Sequence, residues 1–360
     1  MARRVESFRR LLDERGLDAL LVRSKTMKRW MGTLTGGGCS VVVTRDEALL
    51  VLDGRYEAEA REREHDLEVV LLPSQSGEAL WEWLEGAAHE RGWESLGLEG
   101  DVTLAETYLR AQSVVERPVL LDGDMARLRM VKEPWEIERI QRAVDVTDEI
   151  FASVTSQLRV GMTEYEISAL LQYESIRRGA ECMAFDTICA TGERTAFPHG
   201  RPTSRTLGRG EHVTIDFGIQ LDGYQSDMTR CVFMGEPSEE IARIYDVVRR
   251  AQQSGLDAIA AGVDSESVDA AARSVIEAAG YGAYFNHGLG HGIGVDDSTE
   301  LPLLRPGKHF ELAEGMVMSC EPGVYVPGVG GVRIEDDVAI VNGRGVALNR
   351  TTKDPIVLEA

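Results

Sequence analysis

TIDFGIQLDGYQSDMT, residues 214–229, sets two acids in a stretch that otherwise reads as a β-hairpin. VTIDFGI is a β-rich run, Asp222-Gly223 is a turn signal, and YQSDMTRCVF is a second run. Folding the chain near that turn brings Asp216 and Asp227 to within a residue or two of register. Like charges facing each other across a ladder are destabilising. The pair therefore asks for a compensating charge.

Two more acids sit in similar surroundings: Glu321 in SCEPG and Glu335 in RIEDD. His291, in NHGLGHGIG, falls between the two pairs. Each acid lies in or beside an apolar, β-rich segment. An unpartnered carboxylate removed from water costs several kcal/mol, and converging acids raise one another's pKa. Two divalent cations would balance four carboxylates. A single Asp or Glu in a strand is most often on a solvated face, and a single His is most often packed or exposed. The combination, in apolar runs beside glycines, favours metal ligation. Gly288, Gly290, Gly292 and Gly294 around His291 point to close backbone approach. Oxygen-rich ligation with one imidazole suits Mn, Co, Fe or Zn better than Ca or Mg. Paired metals hold a hydroxide and polarise a carbonyl, with proton carriers nearby. His199 and His287 are the available histidines; His65, His89, His212 and His309 are given no role.

Outward from this core, Pro134 to about Leu158 reads as a long helix, with proline in its first turn. A second helix starts at Thr163, where T-E-Y-E is a capping box, and ends at Gly179. RVGMTEYEISALLQYESIRRGAE resembles AAGVDSESVDAAARSVIEAAGYG further on. Gly161 and Gly262 are 101 residues apart, as are Gly179 and Gly280. Each copy leads to two acid-bearing strands, which indicates an internal repeat. The first third reads as a small α/β domain. Helices are expected over Val5–Arg15, Tyr56 to about Glu64, and Gly77–Arg91, with strands in DALLV, CSVVVT, ALLVLD and EVVLL. A boundary near Asp122–Met130 gives domains 1–125 and 126–360.

The chain has 360 residues and a net charge of −21. That charge argues against nucleic acid as a partner. Five scattered cysteines, with no C-x-x-C pair, fit reduced thiols in a cytosolic protein. The charged N-terminus lacks a signal-peptide core, and no long apolar run reads as a membrane span. A cytoplasmic protein with no membrane partner is expected.

AFPHGRPT, VTIDFG, DGYQSDMTR, GHGIG, SCEPGVYVPGVGGVRIEDD and the linker RMVKEPWEIERIQRA together resemble the Xaa-Pro aminopeptidase and prolidase group. LDGR followed by YEAEARE fits the N-terminal domain of that group. The resemblance implies an α+β chain: a C-terminal pita-bread fold, shared with methionine aminopeptidase and creatinase, after a smaller α/β N-terminal domain. It further implies that Asp216, Asp227, His291, Glu321 and Glu335 hold two divalent transition-metal ions, Mn2+ foremost, with Co2+, Zn2+ or Fe2+ as alternatives. Asp227 and Glu335 would bridge; Asp216 would serve one ion, His291 and Glu321 the other. Glu321 would take the proton of the attacking water. His199 and His287 would meet the substrate. Arg333 would support the metal site on the same strand face as Glu335, and Thr229 would orient Asp227. The implied activity is hydrolysis of short peptides with proline at the second position, by a homodimer.

One stretch departs from the group's pattern. VDDSTELP places Ser298 or Thr299 where a histidine is expected, while Glu300 keeps the following acid. A hydroxyl donates a hydrogen bond but does not carry a proton as imidazole does. Hydrolysis of another small C–N substrate is therefore the alternative activity, followed by a non-catalytic binding role.

Overall fold

Val5, Phe8, Leu11 and Leu12 recur at helical spacing and are all buried, on α1 (Ala2–Arg15). The computed structural model describes residues 2–63, 66–296 and 300–359. The chain divides after Leu128 into two compact units. In the first unit, apolar runs form β1 (Ala19–Val22), β2 (Cys39–Thr44) and β3 (Ala48–Leu52), with α2 (Lys25–Met31) between the first two. Then come α3 (Glu57–Glu62), β4 (Glu68–Leu71) and α4 (Gly77–Arg91), which buries Leu80, Trp81 and Leu84. β5 (Ser95–Leu98), α5 (Ala105–Val114) and β6 (Arg117–Leu120) complete one mixed sheet of order β4-β3-β2-β1-β5-β6. The elements not expected from the sequence, α2, β5, α5 and β6, are at most ten residues long, so periodicity has little to act on.

Beyond α6 (Asp124–Met130), the second unit opens on α7 (Pro134–Thr155). It ends three residues before the expected Leu158, with Ser156 as its C-cap. Glu133 and Glu136 form a capping box at its start, and Ile140, Ala143, Val144, Ile150, Phe151 and Val154 are buried. α8 (Glu164–Arg177) is capped by Thr163 as expected. β7 (Cys182–Met183) and β8 (Ile188–Thr191) follow.

The acid-bearing hairpin forms, but it is bent. β9 (His212–Phe217) and β10 (Ile219–Leu221) are separated at Gly218, and β11 (Tyr224–Gln225) and β12 (Met228–Met234) at Ser226-Asp227. A Cβ on Gly218 would lie 1.8 Å from the Ser226 carbonyl oxygen, so only glycine permits this crossing. Asp222 and Gly223 both take positive φ, the requirement of a tight primed turn. Thr229 faces Asp216 across the ladder. Asp227 therefore sits diagonally, two residues nearer the bend.

α9 (Glu239–Ala258) and α10 (Ser265–Ala278) lead into the second copy. β13 (Gly290–His291) pairs with β14 (Leu303–Leu304). Next are β15 (Val317–Cys320), β16 (Gly323–Val326), β17 (Gly330–Arg333), β18 (Asp336–Val341), β19 (Arg344–Ala347) and β20 (Ile356–Leu358). Two sheets dominate, β20-β12-β9-β8 and β15-β18-β19. β12 joins the two cores by alternation. Val232 and Met234 pack with α7 and α8, while Cys231 and Phe233 pack with α9 and α10.

The repeat is structural. α8 and α10 begin and end 101 residues apart. The Gly161 N–H donates to the Leu207 carbonyl at 2.8 Å, and the Gly262 N–H to the Leu312 carbonyl at 2.7 Å. The return bonds, Leu207 to Met162 and Leu312 to Val263, are both 2.8 Å. Gly161 and Gly262 have φ of +92° and +84°. An added Cβ at either glycine would touch nothing, so its cost is backbone strain alone. Gly161→Ala and Gly262→Ala should each cost about 1–2 kcal/mol of stability, and nearly the same amount. Urea unfolding of the two variants checks this; unequal losses would show that the two loops are not equivalent.

Candidate metal centre

Strand ends from both copies deliver the acids. Asp216 lies on β9, Asp227 in the bend before β12, Glu321 just after β15, and Glu335 between β17 and β18. His291 ends β13. Asp216, Asp227 and Glu335 are buried. The eight expected site residues all line one cavity of about 500 Å³. Nε2 of His291 is 3.6 Å from Asp227 Oδ2 and 3.5 Å from Glu321 Oε1. Asp227, His291 and Glu335 each offer a ligand atom, all within 4.8 Å of one another.

Arg333 is the one expected cation in this wall. Its guanidinium donates to Asp216 Oδ2, to Thr229 Oγ1 at 3.0 Å, to the Tyr325 hydroxyl at 2.7 Å and to the Pro198 carbonyl at 3.1 Å. Thr229 in turn donates to Glu335 Oε2 at 2.6 Å. Thr229 thus orients Glu335, where the sequence placed it on Asp227. The Asp227 carboxylate segment is fixed differently: its backbone N–H donates to Asp337 Oδ2 at 2.9 Å. Ser319 accepts from the His291 N–H at 3.0 Å and donates to Glu321 Oε1 at 3.1 Å.

The remaining carboxylate oxygens carry the main chemical signal. Asp216 Oδ1, Asp227 Oδ1 and Glu335 Oε1 are buried without a hydrogen-bond partner. Buried polar atoms are nearly always partnered. Three orphaned oxygens facing one cavity beside an imidazole fit a site for divalent cations. Burial, then the neighbouring Glu335, Asp216 and Asp337 charges, push the Asp227 carboxyl well above the ordinary carboxylate range. Glu335 is raised in the same way, by burial first and then by Glu321 and Asp216. Burial also raises Glu321.

The two substrate-side histidines differ. His199 is exposed, and among the described residues nothing bonds its ring. His287 has both nitrogens engaged: Nδ1 is 2.7 Å from the Gly288 carbonyl and Nε2 is 2.9 Å from the Tyr325 hydroxyl. A carbonyl accepts only, so Nδ1 carries the hydrogen and Nε2 accepts from Tyr325. Burial and the Arg333 charge lower its pKa to about 3. His287 is therefore a neutral acceptor that orients Tyr325.

Tyr325, Ser319 and Asp337 escaped the sequence reading. For Tyr325 a signal existed in the glycines facing it. Gly331 pairs with Tyr325 across β16 and β17, and Gly323 pairs with Arg333. A Cβ on Gly323 would lie 2.3 Å from the Tyr325 hydroxyl oxygen. Ser298 and Thr299 lie outside the described residues. Glu300 lies away from the cavity, buried between Arg129 at 2.9 Å and Lys132 at 3.3 Å.

A model of metallopeptidase family M24 matches residues 138–342. A model of the creatinase/prolidase N-terminal domain matches residues 4–131. The chain is 34% identical to an Xaa-Pro dipeptidase of Pyrococcus furiosus, over 98% of this chain and 99% of that protein. Among solved structures it is similar to an Xaa-Pro dipeptidase from Bacillus anthracis, with a TM-score of 0.94, 33% identity and 99% of each chain covered. It is also similar to an X-Pro aminopeptidase from Thermotoga maritima, with a TM-score of 0.89, 32% identity, and coverage of 99% of this chain and 100% of that one. Among the described residues, no helix is long and apolar enough to cross a membrane.

The raised acids fix the sign of a pH effect. A carboxyl whose pKa is higher folded than unfolded stabilises the fold at low pH, and that contribution is lost as pH rises. With a chelator present, the melting temperature should fall as pH rises above the ordinary carboxylate range of about pH 4. Excess Mn2+ should remove most of that fall. A chelated protein whose melting temperature stays flat as pH rises would contradict the electrostatic account.

Proposed function

The chain belongs to metallopeptidase family M24, and from that premise we propose that it hydrolyses the Xaa-Pro bond of short peptides. The observation that carries the reading is the set of orphaned, buried carboxylate oxygens facing the cavity beside His291. Asp216, Asp227, His291, Glu321 and Glu335 hold two divalent transition-metal ions in this reading. Mn2+ is placed first on the family resemblance, with Co2+, Zn2+ or Fe2+ as ions the same ligands suit. Bound ions would be held by Asp227 and Glu335 in common, by Asp216 on one side, and by His291 with Glu321 on the other. Such ions, when bound, polarise the substrate carbonyl and acidify the attacking water.

The chain's own groups divide the remaining work. Glu321 takes the proton of the attacking water, as a carboxylate at the cavity wall beside His291. Ser319 keeps one of its oxygens in place. His199, free to turn toward the cavity, handles the proton at the leaving or carbonyl side. Arg333 pairs with Asp216 at the cavity wall. Phe185, Ile188 and Leu303 form an apolar portion of the lining that suits a pyrrolidine ring. The nitrogen of an Xaa-Pro bond carries no hydrogen, so it leaves only after receiving a proton. We place the protein in the cytoplasm, in keeping with its free cysteines, and as a homodimer.

Asp227→Ala and Glu335→Ala should each abolish hydrolysis of an Xaa-Pro dipeptide and reduce bound metal, measured by elemental analysis. Full activity in either variant would end the metallopeptidase reading. His199→Ala should lower kcat by about 10²-fold or more with metal content unchanged. Assays of Xaa-Pro dipeptides, longer Xaa-Pro-Yaa peptides and non-proline amides check the substrate class. Turnover confined to the non-proline amides would overturn it in favour of another C–N hydrolase.

A further inference from the structure

Glu164 is the first residue of α8, with its side chain 0% exposed. Its carboxylate accepts five hydrogen bonds, and none comes from its own helix. Oε1 accepts from the Thr191 N–H at 2.8 Å and the Thr191 hydroxyl at 2.9 Å. Oε2 accepts from the Thr203 N–H at 2.8 Å, the Thr203 hydroxyl at 2.7 Å, and Arg194. Thr191 and Thr203 are the two feet of the segment that carries His199. One carboxylate therefore pins both feet. The far side of the same segment is held by Arg333, through the Pro198 carbonyl.

We propose that Glu164 is a positioning residue for hydrolysis, which holds the 191–203 segment so that His199 faces the cavity. The inference rests on the role given above to His199. The repeat supplies an internal control. The position equivalent to Glu164, 101 residues on, is Ser265, which is equally buried. Its hydroxyl donates to the Lys308 carbonyl at 3.1 Å and accepts from the Phe310 N–H at 3.1 Å. A neutral hydroxyl is thus enough for this helix start in the copy that lacks a cavity histidine on the matching segment. A buried carboxylate is the costlier choice, and it occurs in the copy that carries His199. The carboxylate is stable there. Burial alone would raise its pKa, but bonds from Thr203, Arg194 and Thr191 outweigh burial and hold it below the ordinary value. The helix N-terminus favours negative charge as well.

The test uses the full chain loaded with Mn2+. Glu164→Gln keeps the shape but replaces one acceptor oxygen with a donor. Metal content should stay at the wild-type level. Turnover of an Xaa-Pro dipeptide should fall about tenfold to a hundredfold, as expected for misplacement of a reacting group by about 1 Å. In a His199→Ala background the same change should alter turnover by less than about twofold, because both variants remove one contribution. Hydrogen exchange at the Thr191 and Thr203 amides should accelerate. Multiplicative losses in the double variant, or unchanged exchange, would overturn the proposal. Wild-type turnover in His199→Ala alone would instead overturn the role of His199, and the exchange measurement would still decide whether Glu164 holds the segment. Should Glu164→Gln not fold, Thr203→Val removes one hydroxyl donor and keeps the pair with Arg194. It should show the same non-additive pattern at smaller size, and additive losses there would count against the proposal.

Discussion

Asp216, Asp227, Glu321 and Glu335 share one cavity wall, and among the described residues the buried guanidinium in it is that of Arg333, while Arg201 and Arg305 line the cavity from exposed positions. That imbalance governs the second unit. Asp216 is paired with Arg333, whose charge also favours ionised Glu321 and Glu335, yet burial outweighs it and leaves both of them, and Asp227, raised. Each unpaired buried carboxylate costs several kcal/mol. The chain holds them together because extensive apolar packing surrounds the strands that carry them. β12 alone contributes to both cores, through Val232 and Met234 on one face and Cys231 and Phe233 on the other. Divalent cations are therefore part of the electrostatic balance of the fold as well as of its chemistry.

The repeat explains how acids so distant in sequence converge. Each copy starts with a glycine in the left-handed region, runs a 14-residue helix, and leads later to paired antiparallel strands. Strand ends from one copy bring Asp216 and Asp227; those from the other bring Glu321 and Glu335. The bend at Gly218 and Ser226 is what turns Asp227 out of a regular ladder. In an unbroken hairpin the diagonal pair would lie on one strand face with only the ladder to fix it. Here the Asp227 N–H is held by Asp337, from the other copy.

The sequence was most legible where periodicity ran long or where acids interrupted apolar runs. α4, α7, α8 and the repeat spacing could all be read in it, as could Asp216, Asp227, Glu321, Arg333 and Glu335 of the cavity wall, though not Asp186, Arg201 or Arg305. The first unit was less legible, because β5 and β6 are four residues each and β6 is half-exposed. Tyr325 was missed because its signal is indirect: Gly331 across the two-stranded ribbon and Gly323 two residues before it leave the room its ring occupies. His287 was found but its chemistry was not. Its identity as a neutral acceptor follows from the Gly288 carbonyl and Tyr325 occupying both nitrogens. Glu164 stood in plain view in T-E-Y-E, where the capping box drew attention to Glu166 and away from it.

These misses share a physical cause. The ligand set is a property of residue type and charge, and it repeats across both copies. The surroundings of His199 and His287 are instead set by asymmetry between the copies. The first copy adds a segment whose feet meet Glu164 and whose Pro198 carbonyl meets Arg333, which leaves His199 with an open ring. The second adds a ribbon whose Tyr325 hydroxyl is shared by His287 and Arg333, which closes the other ring. Arg333 touches both additions and Asp216 at once. A shift of that guanidinium would disturb the Asp216 carboxylate, the His199 segment and the Tyr325 hydroxyl together. The near-symmetric frame gathers charge, and the asymmetric additions joined at Arg333 leave the His199 ring open and engage both nitrogens of His287.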